Sequence, residues 1–237
     1  MAPSSKPRQC LVTGANRGIG LEFCRQLLER GAEVVATARS PGRANDLNHL
    51  AGEYPGRLHV LPLDVTEAKS IAELVRELPL VVDGRLDLLI NNAGVLHSGE
   101  RFGHVTSTNL DDSLRTNASG PFLLTQALSE ALEDGARVAN ISSQLGSIEN
   151  TTGFYTPTYA ISKAAQNMAT RLLANALRER GIVVLALHPG WVQTEMGGPD
   201  AQIPPTQAVE GLLRVIDDAE LEQSGRFFDY NGDPMPW

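Results

Sequence analysis

Short apolar runs of strand length alternate along this chain with longer stretches in which apolar residues recur at helical spacing. The runs begin near Gln9, Glu33, Leu58, Leu86, Arg137, Ile182 and Arg226. Between them, 21–30 reads as an amphipathic helix stopped by Gly31, and 110–132 reads as one long helix. Strand and helix taking turns in this way predict an α/β chain. Its core would be a doubly wound parallel sheet of about seven strands with helices on both faces. No internal repeat or linker breaks the pattern. A length of 237 residues suits a single domain over 9–237, after a polar, proline-containing flexible tail over 1–8.

The first strand carries chemistry. Cys10-Leu-Val-Thr13 runs into Gly14-Ala-Asn16-Arg17-Gly18-Ile19-Gly20, and the first helix follows at once. Strand, glycine turn and helix in that order make a phosphate cradle and predict a Rossmann fold. The turn can lie close to a pyrophosphate, and the helix N-terminus offers it free amides. The spacing is G-x3-G-x-G. After the second strand, where an acid would hold a ribose 2′-hydroxyl, the chain has Ala38 and then Arg39. Arg17 adds a second guanidinium within the turn. Arginine binds a 2′-phosphate that an aspartate would repel, so the expected cofactor is NADP(H).

Tyr159-Ala-Ile-Ser-Lys163 puts a phenol and an ammonium four residues apart, on one face of a helix. A neighbouring cation favours the phenolate, which suits a tyrosine that must give up a proton near neutral pH. The run 138–141 reads as a buried strand ending at Ser142-Ser143, so a hydroxyl stands at the carboxyl edge of the sheet, where α/β proteins bind ligands. Strand position alone does not choose between the two serines.

Taken in order, these motifs resemble the short-chain dehydrogenase/reductase family along nearly the whole chain. The resemblance implies a catalytic set of Asn117, Ser143, Tyr159 and Lys163. Ser143 would polarise a carbonyl, Tyr159 would protonate it, and Lys163 would lower the Tyr159 pKa and hold the nicotinamide ribose. Asn117 would hold a water leading from Lys163 to solvent. For the cofactor it further implies Asp64 and Val65 on the adenine side and Asn91, Ala93 and Gly94 after the fourth strand. Beyond the sixth strand it implies Pro189, Gly190, Val192 and Thr194. A closer likeness is to the carbonyl reductase branch with the sniffer-like and C-factor proteins. It rests on Gln144-Leu-Gly-Ser-Ile148, His188-Pro-Gly-Trp-Val192 and the end Phe228-Asp-Tyr-Asn-Gly-Asp-Pro-Met-Pro-Trp237. That likeness implies an NADPH-dependent reductase of aldehydes, ketones or quinones. It leaves open a C-factor-like signalling protein, or an alcohol dehydrogenase working in the oxidative direction.

Charge and composition narrow the partners. A formal net charge of −8 argues against nucleic acid and anionic membrane surfaces. No apolar stretch approaches a membrane span, and the first residues lack a signal-peptide core. Two cysteines, Cys10 and Cys24, fall in apolar segments and read as buried thiols of a cytoplasmic protein. The histidines show no metal-ligand spacing, and His188 reads as a packing or turn residue. Glycines and prolines mark 149–158 and 196–205 as loops beside the substrate, where Leu145, Tyr155, Trp191 and Met196 could line an apolar pocket. The spacing from Ser143 to Tyr159 leaves no room for the insertion of monomeric carbonyl reductases. That implies a homo-oligomer, dimer or tetramer, built through the 110 and 159 helices.

Overall fold

The computed structural model describes residues 7–237. Its centre is a parallel sheet in the order β3-β2-β1-β4-β5-β6-β7. The strands are β1 (Gln9–Val12), β2 (Glu33–Ala38), β3 (Leu58–Pro62), β4 (Leu86–Asn91), β5 (Leu132–Ile141), β6 (Val183–His188) and β7 (Phe227–Asp229). The order reverses between β1 and β4, and a crevice therefore opens at their carboxyl ends.

Side chains leave a strand on alternate faces, and that alternation divides the core. Cys10 and Val12 of β1 pack beneath α1 (Gly18–Glu29), α2 (Asn45–Glu53) and α7 (Pro205–Asp218), whose Phe23, Leu47 and Leu212 are fully enclosed. Leu11 faces the opposite layer of α3 (Ala68–Glu77), α5 (Gly120–Ala127) and α6 (Pro157–Ala176), through Leu74, Leu124 and Leu173. Each leucine buried this way stabilises the fold by about 1.5–3 kcal/mol. No helix among the described residues is long and apolar enough to cross a membrane.

Three features differ from the sequence expectation. The stretch 110–132 is not one helix: α4 (Ser107–Leu114) passes through a π-helical turn, Arg115–Ser119, into α5, which ends at Ala127. Pro121 is the physical reason, since it has no N–H to give the carbonyl of Asn117 and its ring crowds that group. β5 opens at Leu132 rather than near Arg137, with an irregular register against β4 between Leu86 and Leu88. Of the expected tail, residues 1–6 lie outside the described residues. Arg8 is anchored: its guanidinium meets Asp217 at 2.5 Å and its carbonyl accepts the Glu33 amide.

Candidate active site

A cleft of about 700 Å³ occupies the carboxyl edge of the sheet. Gly14, Asn16, Arg17, Gly18 and Ile19 line one end. Gly14 has a φ of +64°, and a Cβ there would stand 2.8 Å from the Cα of Ala93. Gly20 lies under the turn, where a Cβ would strike the Gly14 carbonyl at 2.3 Å. The turn is stapled to the loop after β4. Asn92 Nδ2 donates to the carbonyls of Thr13 and Gly14 at 3.0 and 3.1 Å, and Thr13 Oγ1 accepts the amides of Asn92 and Ala93.

Sequence reasoning named Asn91 and passed over Asn92. The structure turns Asn91 away from the cleft, because it shares the Leu89 face of β4. It donates to Thr125 Oγ1 at 3.0 Å and to Asn140 Oδ1 at 2.8 Å. The period of two along the strand, counted from the buried leucines, is the signal that separates the two asparagines.

Ala38 is buried at the end of β2, and Arg39 beside it is exposed and lines the cleft. Arg17 reaches across the mouth to Glu195 in an exposed ion pair. Asp64 and Val65 form the adjoining wall. Asp64 Oδ1 accepts both the amide and the hydroxyl of Thr66, at 2.9 and 2.7 Å, which fixes that bend. Ala93 and Gly94 continue the floor, and Pro189, Gly190, Val192 and Thr194 form the far side. Thr194 Oγ1 accepts the Gly197 amide at 3.1 Å and so braces the loop that carries Glu195.

At the inner end, Ser143, Tyr159 and Lys163 converge. Ser143 follows β5 into the cleft that Tyr159 also lines, and its Oγ accepts the Leu145 amide at 3.2 Å. Ser142 turns inward and donates to Asn167 Oδ1 at 2.6 Å. Alternation thus separates two serines that looked equivalent in sequence. Burial pushes the Tyr159 phenol up to about 12, with the Ser143 hydroxyl pulling the other way. Burial also pulls the Lys163 ammonium down to about 7. Lys163 Nζ lies 5.5 Å from the centre of the Tyr159 ring and donates to the Ile141 carbonyl at 2.7 Å and to Gln166 Oε1 at 3.0 Å. Burial therefore sets the phenol's pKa, and the lowering expected from this lysine is not seen.

Asn117 sits on the π-helical turn, fully buried, and does not line the cleft. Its amide clamps the Val95 backbone in both directions, at 2.8 and 2.9 Å, and donates to Ser162 Oγ at 2.9 Å. Ser162 in turn donates to the Tyr159 carbonyl at 2.7 Å, so Asn117 locks the Tyr159 turn of α6 to the loop after β4. Pro121, four residues on, was the sequence signal for this irregularity.

Leu145, Trp191 and Met196 line the outer end of the cleft, and Trp191 Nε1 is held by the Gly197 carbonyl at 2.7 Å. Tyr155 does not join them: it is 68% exposed, on the segment before α6. His188, read from sequence as a packing residue, does line the cleft; burial holds it neutral with a pKa of about 4, against a small opposing pull from Asp229. Sequence also gave no hint of Thr156, held at a φ of +39° one residue before α6, or of Glu100, which caps that helix from a distant loop.

Comparison with known proteins agrees with this geometry. The profile of the short chain dehydrogenases matches residues 8–203. C-signal of Myxococcus xanthus is 46% identical over 159 residues, 66% of this chain and 96% of that protein. The NADPH-bound carbonyl reductase from chicken fatty liver superposes with a TM-score of 0.92 at 37% identity, over 98% of this chain and 100% of that one. The carbonyl reductase Sniffer of D. melanogaster gives 0.93 at 31% identity, with the same coverage. With the profile running through the glycine turn, Tyr159 and Lys163, and the fold shared along nearly its entire length, the chain belongs to the short-chain dehydrogenase family.

Proposed function

We propose that this protein is an NADPH-dependent carbonyl reductase acting on an aldehyde, ketone or quinone. The observation that carries the reading is the convergence of Ser143, Tyr159 and the buried Lys163 on one cleft at the carboxyl edge of the sheet. The cleft suits the cofactor. The approach of Gly14 to Ala93 leaves a cradle that any side chain would fill, and α1 begins there with its amides turned to the turn. Arg17 and Arg39 would hold a 2′-phosphate, with Ala38 offering no carboxylate to oppose it. Asp64 and Val65 would flank the adenine, and Thr194 and Val192 would meet the carboxamide.

The dihydronicotinamide, when bound, supplies the hydride. Tyr159 does the acid chemistry. With a pKa near 12 it keeps its proton at neutral pH and can give it to a carbonyl oxygen that gains charge. Ser143 shares that oxygen and steadies the charge as it grows. Lys163, while protonated, favours the phenolate that remains. Leu145, Trp191 and Met196 present an apolar wall suited to an uncharged carbonyl compound. The same reading includes a homo-oligomer, with exposed Leu123 of α5 and Ile161, Met168 and Leu172 of α6 as the faces available to a second copy. Two free, buried cysteines suit a reducing cytoplasm.

The test is NADPH oxidation, followed by absorbance, against a panel of aldehydes, ketones and quinones. Tyr159→Phe should bind NADPH as the native protein does and lose at least about 10²-fold in turnover, the usual cost of removing a general acid. Near-native turnover by that variant would remove Tyr159 from the chemistry. Tight NADPH binding without turnover by the native protein would instead favour a signalling role, in line with its similarity to C-signal.

A further inference from the structure

The inward face of α6 is polar where a helix packed on a sheet is usually apolar: Ser162, Lys163, Gln166, Asn167 and Thr170 are all buried. Four of these have a plain structural account. Ser162 and Asn167 tie down Asn117 and Ser142, Thr170 receives Asn140 Nδ2, and Lys163 belongs to the site. Gln166 does not fit that account. It is 1% exposed, its Oε1 accepts from Lys163 Nζ at 3.0 Å, and its Nε2 has no hydrogen-bond partner among the described residues. An unpartnered buried donor costs stability that a leucine of similar volume would not. The compensation lies at the other end of the amide, on the lysine.

We propose that Gln166 is a positioning residue for Lys163, fixing the ammonium on the inner side of α6 and holding it in its charged form. The inference rests on the catalytic reading of Tyr159 and Lys163 given above. An ammonium has three protons to donate. The Ile141 carbonyl and Gln166 Oε1 take two, which sets the direction of the third. Both acceptors favour the charged form and oppose the burial that draws Lys163 down to about 7. Among the described residues, no formal charge is recorded as acting on it from the other elements. Gly94 lies beside the ammonium and Gly146 beside the lysine's backbone and Cβ, and Tyr159 on α6 itself is the titratable group recorded against it. The neutral Gln166 amide is the side-chain acceptor of the ammonium, so its replacement can move the lysine's titration in either direction.

The chain has three lysines, Lys6, Lys69 and Lys163, so ε-carbon NMR of lysine-labelled protein resolves each, with Lys163→Arg assigning the signal. Gln166→Leu should lower the Lys163 midpoint by about one pH unit, the size of a hydrogen bond to a charged group. Gln166→Glu should raise it by a similar amount. If turnover depends on the ammonium, the alkaline limb of the kcat profile should move the same way, with Tyr159→Phe dead in every background. A simple packing role would shift both variants in one direction or neither, and either result would overturn the proposal. Opposite NMR shifts with no turnover by the native protein would uphold the contact and refute the reductase reading instead.

Discussion

Arg39 and Arg17 both face the cleft, but they are held differently. Arg17 is already engaged by Glu195, and with both groups well exposed that pair is worth little in water. Arg39 has no ion pair recorded among the described residues and stands beside the buried methyl of Ala38. A guanidinium that meets a phosphate without first leaving a carboxylate keeps the whole of that interaction. Replacing it by aspartate both removes a partner and adds repulsion. We therefore expect Arg39→Asp to shift the ratio of NADPH to NADH affinity toward NADH by about 10- to 100-fold, from a charge-assisted contact of ~1.5–3 kcal/mol. Calorimetric titration with both nucleotides measures it. Should the variant keep its preference while Arg17→Ala loses it, the phosphate is read at the glycine turn. Residues whose side chains carry chemistry were legible at this scale without a structure: a phenol four positions before an ammonium can be recognised in a string of letters. Gln166 was not, because an amide reads as a generic polar residue until its neighbours are known, and Asn92 could be told from Asn91 only by counting the strand period.

Among the elements, α6 carries both Tyr159 and Lys163, and its first turn is held from outside. Thr156, the residue before Pro157, makes no side-chain cap and sits in the left-handed region that a β-branched residue avoids. Glu100 supplies the cap instead: its Oε2 accepts the Thr158 amide at 3.2 Å and the Thr158 hydroxyl at 2.9 Å, and a carboxylate there also suits the helix dipole. Thr158 precedes Tyr159 directly, so the cap fixes the phenol's height above the sheet. Glu100→Ala should cost about 1–2 kcal/mol, the usual range for a lost cap. For a chain of this length that lowers Tm by roughly 2–8 °C. Turnover should fall more than NADPH affinity, because the glycine turn is untouched. Thermal unfolding and cofactor titration on the same sample separate the two effects, and an unchanged Tm would remove Glu100 as the cap. The start of α6 was not predictable from its own residues, since its cap comes from a loop some 58 positions away. The π-helical turn before α5 was missed: Pro121 marks it in the sequence, but the helical period around it made 110–132 read as one regular helix.

At the scale of the molecule, the parallel sheet was legible because its central strands β1, β2, β4 and β6 are covered on both faces and so read as apolar runs. The burial of particular ionisable groups was not, yet it governs how the fold responds to pH. His188 and Lys163 are both held below their ordinary values of 6.5 and 10.5, at about 4 and about 7. In each interval the unfolded chain binds a proton that the folded chain has released, so stability rises with pH across 4–6.5 and again above 7. Cys10, Cys24 and Tyr159 are raised by burial. They hold protons that the unfolded chain gives up from about pH 9 upward, which reverses the slope there. Between pH 7 and 9 carboxylates are fully ionised and Lys163 dominates, with a slope of up to ~1.4 kcal/mol per pH unit. The urea midpoint, measured without added nucleotide, should therefore climb from pH 7 to a maximum near 9. Lys163→Met, of similar shape and without charge, should flatten that climb and leave the acid limb below 6.5 in place. A native midpoint that falls from pH 7 to 9 would mean that Lys163 keeps an ordinary ammonium in the fold. The cleft would then be wet where the packing around Ile141 and Gln166 makes it dry.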